Sequence, residues 1–104
     1  MEEFGGVLDE EEIVERVAEA LQASGLDASS QDTGGDIYCV VLPTQVGGEI
    51  VWGTADVNWG ATVTDESGEI VSSISTTCPS ESQDIETISE VIRSRSIEAG
   101  AASL

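Results

Sequence analysis

Apolar and polar positions along this chain repeat with two different periods. Ile13, Val17, Ala20, Leu21 and Ser24 recur at helical spacing, with Val14 flanking the stripe. The flanks agree with that period. Asp9 is placed to cap the first turn, with Glu12 three residues on in a variant of the capping box, and Leu8 and Ile13 are spaced as a hydrophobic staple. Glu10, Glu11 and Glu12 put negative charge where the helix dipole favours it. Gly25 supplies the left-handed residue that ends a helix, and Leu26 beyond it can pack back on Leu21. The spacing predicts a helix over 10–24.

From there the period shortens to that of strands. A short strand is expected near 27–32, then a Thr33-Gly34-Gly35 hairpin turn. Residues 37–42 (IYCVVL) are apolar on both faces, as in a central strand, and Pro43 ends them. Gly47-Gly48 turns the chain into a strand over 49–55. A turn or bulge at 56–58 precedes a strand over 59–65. Asp65-Glu66-Ser67-Gly68 is a turn signal. Residues 69–77, rich in Ser and Thr, form a last, half-exposed or edge strand. The pairs Trp52-Gly53 and Trp59-Gly60 should face each other across one hairpin.

A second helical stripe follows in Ile85, Ile88 and Ile92, with Val91 beside it. Ser80 with Gln83 matches a capping box, and Ser82 is a rival cap. Arg93 and Arg95 fall in the last turn. The fold class expected is α+β: an N-terminal helix, a four- or five-stranded antiparallel meander, and a C-terminal helix packed on the sheet. Residues 1–8 form a flexible acidic lead-in, 9–96 a single domain, and 97–104 a frayed tail.

Charge changes the picture most. Asp and Glu total 21 against 3 Lys and Arg, with no His, for a formal net charge of −18. Such a surface repels nucleic acid and anionic lipid, whose binding needs basic patches. The partner expected is a basic protein surface, such as a nucleic-acid-binding groove. No apolar run approaches a membrane span, and the Met-Glu-Glu start lacks a signal-peptide pattern, so a cytoplasmic location is expected.

The chemistry-bearing motifs are missing. Without His there is no His base or His-centred triad, and without Lys no Schiff-base or P-loop lysine. No calcium loop occurs, and Cys39 and Cys78 lack zinc spacing. No enzyme activity, cofactor or metal is expected. Cys39 is placed as a small buried hydrophobe. Cys78 precedes a helix, where a thiolate can be stabilised. Both are expected to be reduced.

The acidic residues are patterned. Glu12, Glu15 and Glu19 project within one arc of the first helix, opposite its apolar stripe. Their steps of about 4.5 to 6 Å along the axis are comparable with phosphate spacing on a nucleic-acid strand. Glu10 and Glu11 extend this cluster. Glu86 and Glu90, with Asp84 and Glu81 nearby, form a second. Like charges at i, i+4 destabilise a helix, so repeating them without compensating Lys suggests use. Trp59, beside a turn, is the candidate apolar anchor, whereas Trp52 and Tyr38 are expected in the core.

In size and charge the chain resembles small phage-encoded anti-defence proteins, the nucleic-acid mimics that block restriction or CRISPR effectors. That resemblance implies an inhibitor whose carboxylates occupy a basic groove in the host cytoplasm. The stretch from Val17 to Val41 also resembles the start of secretion-chaperone-type domains, although their internal helix is missing. It implies an acidic, protein-binding adaptor or homodimer. A third expectation is a salt-adapted domain whose charge has no binding role. Monomer and homodimer both remain open.

Overall fold

A computed structural model describes residues 8–32, 38–54 and 57–104. Helix α1 (Glu10–Ala23) is followed by strands β1 (Ser29–Asp32), β2 (Tyr38–Pro43), β3 (Glu49–Gly53), β4 (Asn58–Thr64) and β5 (Ile70–Pro79), then helix α2 (Ile85–Glu98). The five strands form one antiparallel sheet in the order β1-β2-β3-β4-β5. The fold is the expected α+β meander between two helices. The Thr33-Gly34-Gly35 turn and residues 1–7 of the lead-in lie outside the described residues.

Strand alternation decides which face is covered. Val40, Leu42, Ile50, Trp52, Trp59, Ala61 and Val63 share one core cluster with Ile13, Val14, Val17 and Leu21 of α1 and Ile88 and Ile92 of α2. Both helices therefore lie on one face of the sheet. Burying each large aliphatic side chain contributes roughly 1.5–3 kcal/mol. The opposite face carries Cys39, Val41, Val51, Gly53, Gly60 and Thr62, with no helix over it among the described residues. Gly53 pairs with Gly60 and Trp52 with Ala61, so the two Trp side chains are diagonal neighbours on the core face.

The helices run in the same direction. Near their N-terminal ends, Leu8 N–H donates to Gln83 Oε1 at 2.7 Å and Gln83 Nε2 donates to Leu8 O at 3.3 Å. Beyond their C-terminal ends, Leu104 N–H donates to Gly25 O at 2.8 Å. The end of α1 follows the sequence closely. Asp9 caps Glu12 N–H at 2.9 Å, and Gly25 (φ 101°) and Leu26 close the helix through bonds to Gln22 O and Leu21 O.

The other terminus departs from expectation. The α2 cap is Asp84, rather than Ser80 or Ser82, and its carboxylate accepts from both Thr87 N–H and Thr87 Oγ1. Ser82 instead closes a turn onto Pro79 O. Nor do residues 97–104 fray. Gly100 (φ 92°) repeats the α1 ending, with Gly100 N–H on Ile97 O and Ala101 N–H on Ser96 O. The chain then bridges Thr44 and Leu26, and Ala101 is buried. Backbone hydrogen bonds hold this segment, so its small side chains gave no sign of it.

Candidate functional site: the acidic helical layer

Helix α1 turns its apolar stripe to the sheet, which drives its acidic arc outward. Glu10, Glu11, Glu15 and Glu19 are exposed, whereas Glu12 is half-buried. Glu12 is also engaged: Arg16 Nη2 donates to its Oε2 at 2.7 Å. The phosphate-like series is therefore better drawn through Glu11, Glu15 and Glu19, at i, i+4 and i+8, with about 6 Å between steps. On α2, Glu86 and Glu90 are exposed at the same i, i+4 spacing.

Most of these carboxylates border three different depressions. Glu11 and Glu15 border a shallow depression with Asp32 and Tyr38 on the β1 side. Glu86 and Glu90 line the groove between the helices, with Ala20, Leu21 and Ser24 opposite. The buried Ser89 hydroxyl on that groove has no hydrogen-bond partner among the described residues. Glu10 joins Glu81, from the loop before α2, around a third depression near the helix N-termini. Glu10 Oε2 accepts from Tyr38 N–H at 3.2 Å, which positions it.

The chain's cations answer few of these charges. Arg16 pairs with Glu12, Arg93 Nη1 lies 3.8 Å from Glu90 Oε1, and Arg95 Nη2 reaches Ser75 O at 3.4 Å. Asp84, though exposed, serves the cap. The Thr87 side chain, then its amide, hold the Asp84 carboxyl below the usual carboxylate value.

Trp59 is not an exposed anchor. It is fully buried, because alternation from Ala61 places it on the core face beneath α1. A β-bulge fixes it there. The register slips between Gly60 and Asn58, and Thr76 fills the gap by donating to Trp59 O at 2.7 Å and accepting from Cys78 N–H at 3.1 Å. Trp52 is likewise fully buried and Tyr38 partly so, as expected.

Cys78 precedes α2, yet a thiolate is disfavoured there. Burial pushes its thiol pKa up, and the nearby Asp84 charge adds to the rise. Cys39 is buried on the far side of the sheet, where it borders a groove of about 490 Å³ with Val51, Gly53, Gly60 and Thr62. No helix is long and apolar enough to cross a membrane, and no cluster of metal-ligating side chains occurs, among the described residues. No family model, curated protein or solved structure matches the chain.

Proposed function

We propose that this protein is a non-enzymatic binding protein that inhibits a basic nucleic-acid-binding protein by presenting carboxylates where that protein expects phosphates. A phage-type anti-defence role, against a CRISPR or restriction effector, is the setting this chemistry suits. The observation that carries the reading is the exposed series Glu11, Glu15 and Glu19, which has no basic side chain paired to it among the described residues. Glu86 and Glu90 extend the acidic surface on α2. Complementary charge of this kind speeds association and makes it salt-sensitive. Charge alone seldom gives tight binding, so an apolar contact is needed as well.

The test is capture from host lysate at low and high salt, beside a Glu11→Gln/Glu15→Gln/Glu19→Gln variant. The reading predicts a basic, nucleic-acid-binding protein held at low salt by the wild type and lost from the variant. Equal capture by both would remove these carboxylates from the interface.

A second reading, an acidic adaptor or homodimer, draws on the sheet face opposite the two helices. That face holds the Cys39–Thr62 groove, and Ile70 and Val71 of β5 are exposed. An adaptor would bind through it and tolerate the three Glu→Gln changes.

A further inference from the structure

We propose that the depression at the N-terminal ends of the two helices is a pocket for an arginine of the basic partner, together with that arginine's main-chain carbonyl. The inference rests on the binding role proposed above and assigns it a specific seat. The pocket holds about 310 Å³. That is the low end of the range for ligand sites, and suits one long side chain with its peptide group.

Besides the neutral polar Thr54, Ser80 and Gln83, its walls are of two kinds. Leu8, Ile13, Val14 and Trp59 make an apolar interior, while Glu10 and Glu81 add two exposed carboxylates. No basic residue lines it among the described residues. An arginine matches both features. Its methylene stem packs on the apolar rim while the guanidinium meets carboxylate. An anionic or purely apolar occupant leaves Glu10 and Glu81 uncompensated. Gln83 braces this arrangement, because its amide both donates to and accepts from the Leu8 backbone.

The carbonyl follows from a separate observation. Trp59 Nε1 is buried and finds no acceptor among the described residues. A buried donor without a partner carries a free-energy cost of about 1–3 kcal/mol, which an arriving acceptor relieves. A guanidinium has donors only. The acceptor must therefore come from the main chain beside the arginine, which separates a peptide from a free polyamine. Because Nε1 is closed to solvent, the indole must shift slightly to meet it.

The test is a titration followed by the indole N–H signals in ¹H–¹⁵N NMR, with Trp52, already bonded to Ser96, as the internal reference. The probes are a capped peptide of alternating arginine and glycine, and spermine at matched ionic strength. The proposal predicts that the peptide moves the Trp59 indole signal and leaves that of Trp52 in place. Spermine should shift amides near the exposed glutamates without moving Trp59. If the peptide shifts the amides of Glu11, Glu15 and Glu19 but not the Trp59 indole, the pocket assignment fails and the broader reading stands. If no signal moves, both fail. An equal response of Trp59 to spermine overturns the carbonyl contact. Trp59→Phe keeps an aromatic wall without the donor and should weaken peptide binding about fivefold. Glu81→Gln, in an exposed loop that does not test the core, should weaken it about two- to fivefold. Unchanged affinity in Glu81→Gln contradicts the proposal.

Discussion

Trp52 Nε1 donates to Ser96 Oγ at 2.9 Å, and neither side chain has any exposed surface. This one bond joins the middle of the sheet to the last turn of α2, across 44 positions of sequence. It gives one of the two core tryptophans a partner for its only polar side-chain atom. It also explains a serine in line with Ile88 and Ile92 on the buried side of α2.

Ser96→Ala strands the Trp52 donor inside the core and is expected to cost about 1–3 kcal/mol. Ser89→Ala removes a buried hydroxyl that already lacks a partner, so it should be neutral or stabilising. Urea denaturation of the two variants checks the contrast. Similar losses in both would mean that the Trp52–Ser96 bond contributes little.

The C-terminal segment is expected to matter for stability. Gly100→Ala forces a side chain into a left-handed backbone and should cost about 1 kcal/mol. Truncation after Glu98 should cost more. It removes the amides that bond Pro43 O and Gly25 O, together with the carbonyls that serve Gln45 and Asp27. Thermal unfolding of both variants beside the full chain provides the measure.

Glycines in two hairpin turns should differ sharply. A Cβ on Gly48 would lie 1.8 Å from Thr64 O, so Gly48→Ala must displace the β3–β4 backbone. It should cost several times the roughly 1 kcal/mol expected for Gly68→Ala. Gly68 has positive φ but open space around it. Chemical denaturation ranks the pair.

Alkaline pH should weaken the fold through Cys78. Its thiol pKa is raised above the ordinary value of 9.0, so the unfolded chain loses this proton first. Stability is then insensitive to this group below pH 9 and falls as pH rises above it. Alkylation at pH 8 should be slower in the folded protein than in urea. Cys78→Ala should flatten the alkaline loss; an unchanged profile would mean that Cys78 is not its source.

Sequence patterning carried the elements whose signals are local. Asp9, Leu21, Gly25 and Leu26 fixed both ends of α1, and alternation placed the strands within a residue or two. It failed where partners are distant. The α2 cap was misread because two capping patterns overlapped, and Thr87 decides for Asp84 through its hydroxyl. The tail was misread because main-chain bonds to Pro43 and Gly25 have no side-chain signature, although Gly100 repeats the cue given by Gly25. Trp59 lies beside a turn in sequence, yet alternation from Ala61 turns it inward. The exposed acids of α1 were legible from the helical period. The Arg16 pairing that withdraws Glu12, and the meeting of Glu10 with Glu81, depend on packing.

The most direct test of the binding role is competition for the captured partner. Its affinity for this protein is measured against added nucleic acid over a range of salt. The carboxylate account predicts displacement by nucleic acid, affinity that falls steeply with salt, and a loss of roughly tenfold or more in the Glu11→Gln/Glu15→Gln/Glu19→Gln variant. Binding that ignores nucleic acid, salt and those three substitutions would contradict it, and would leave the acidity without a role in recognition.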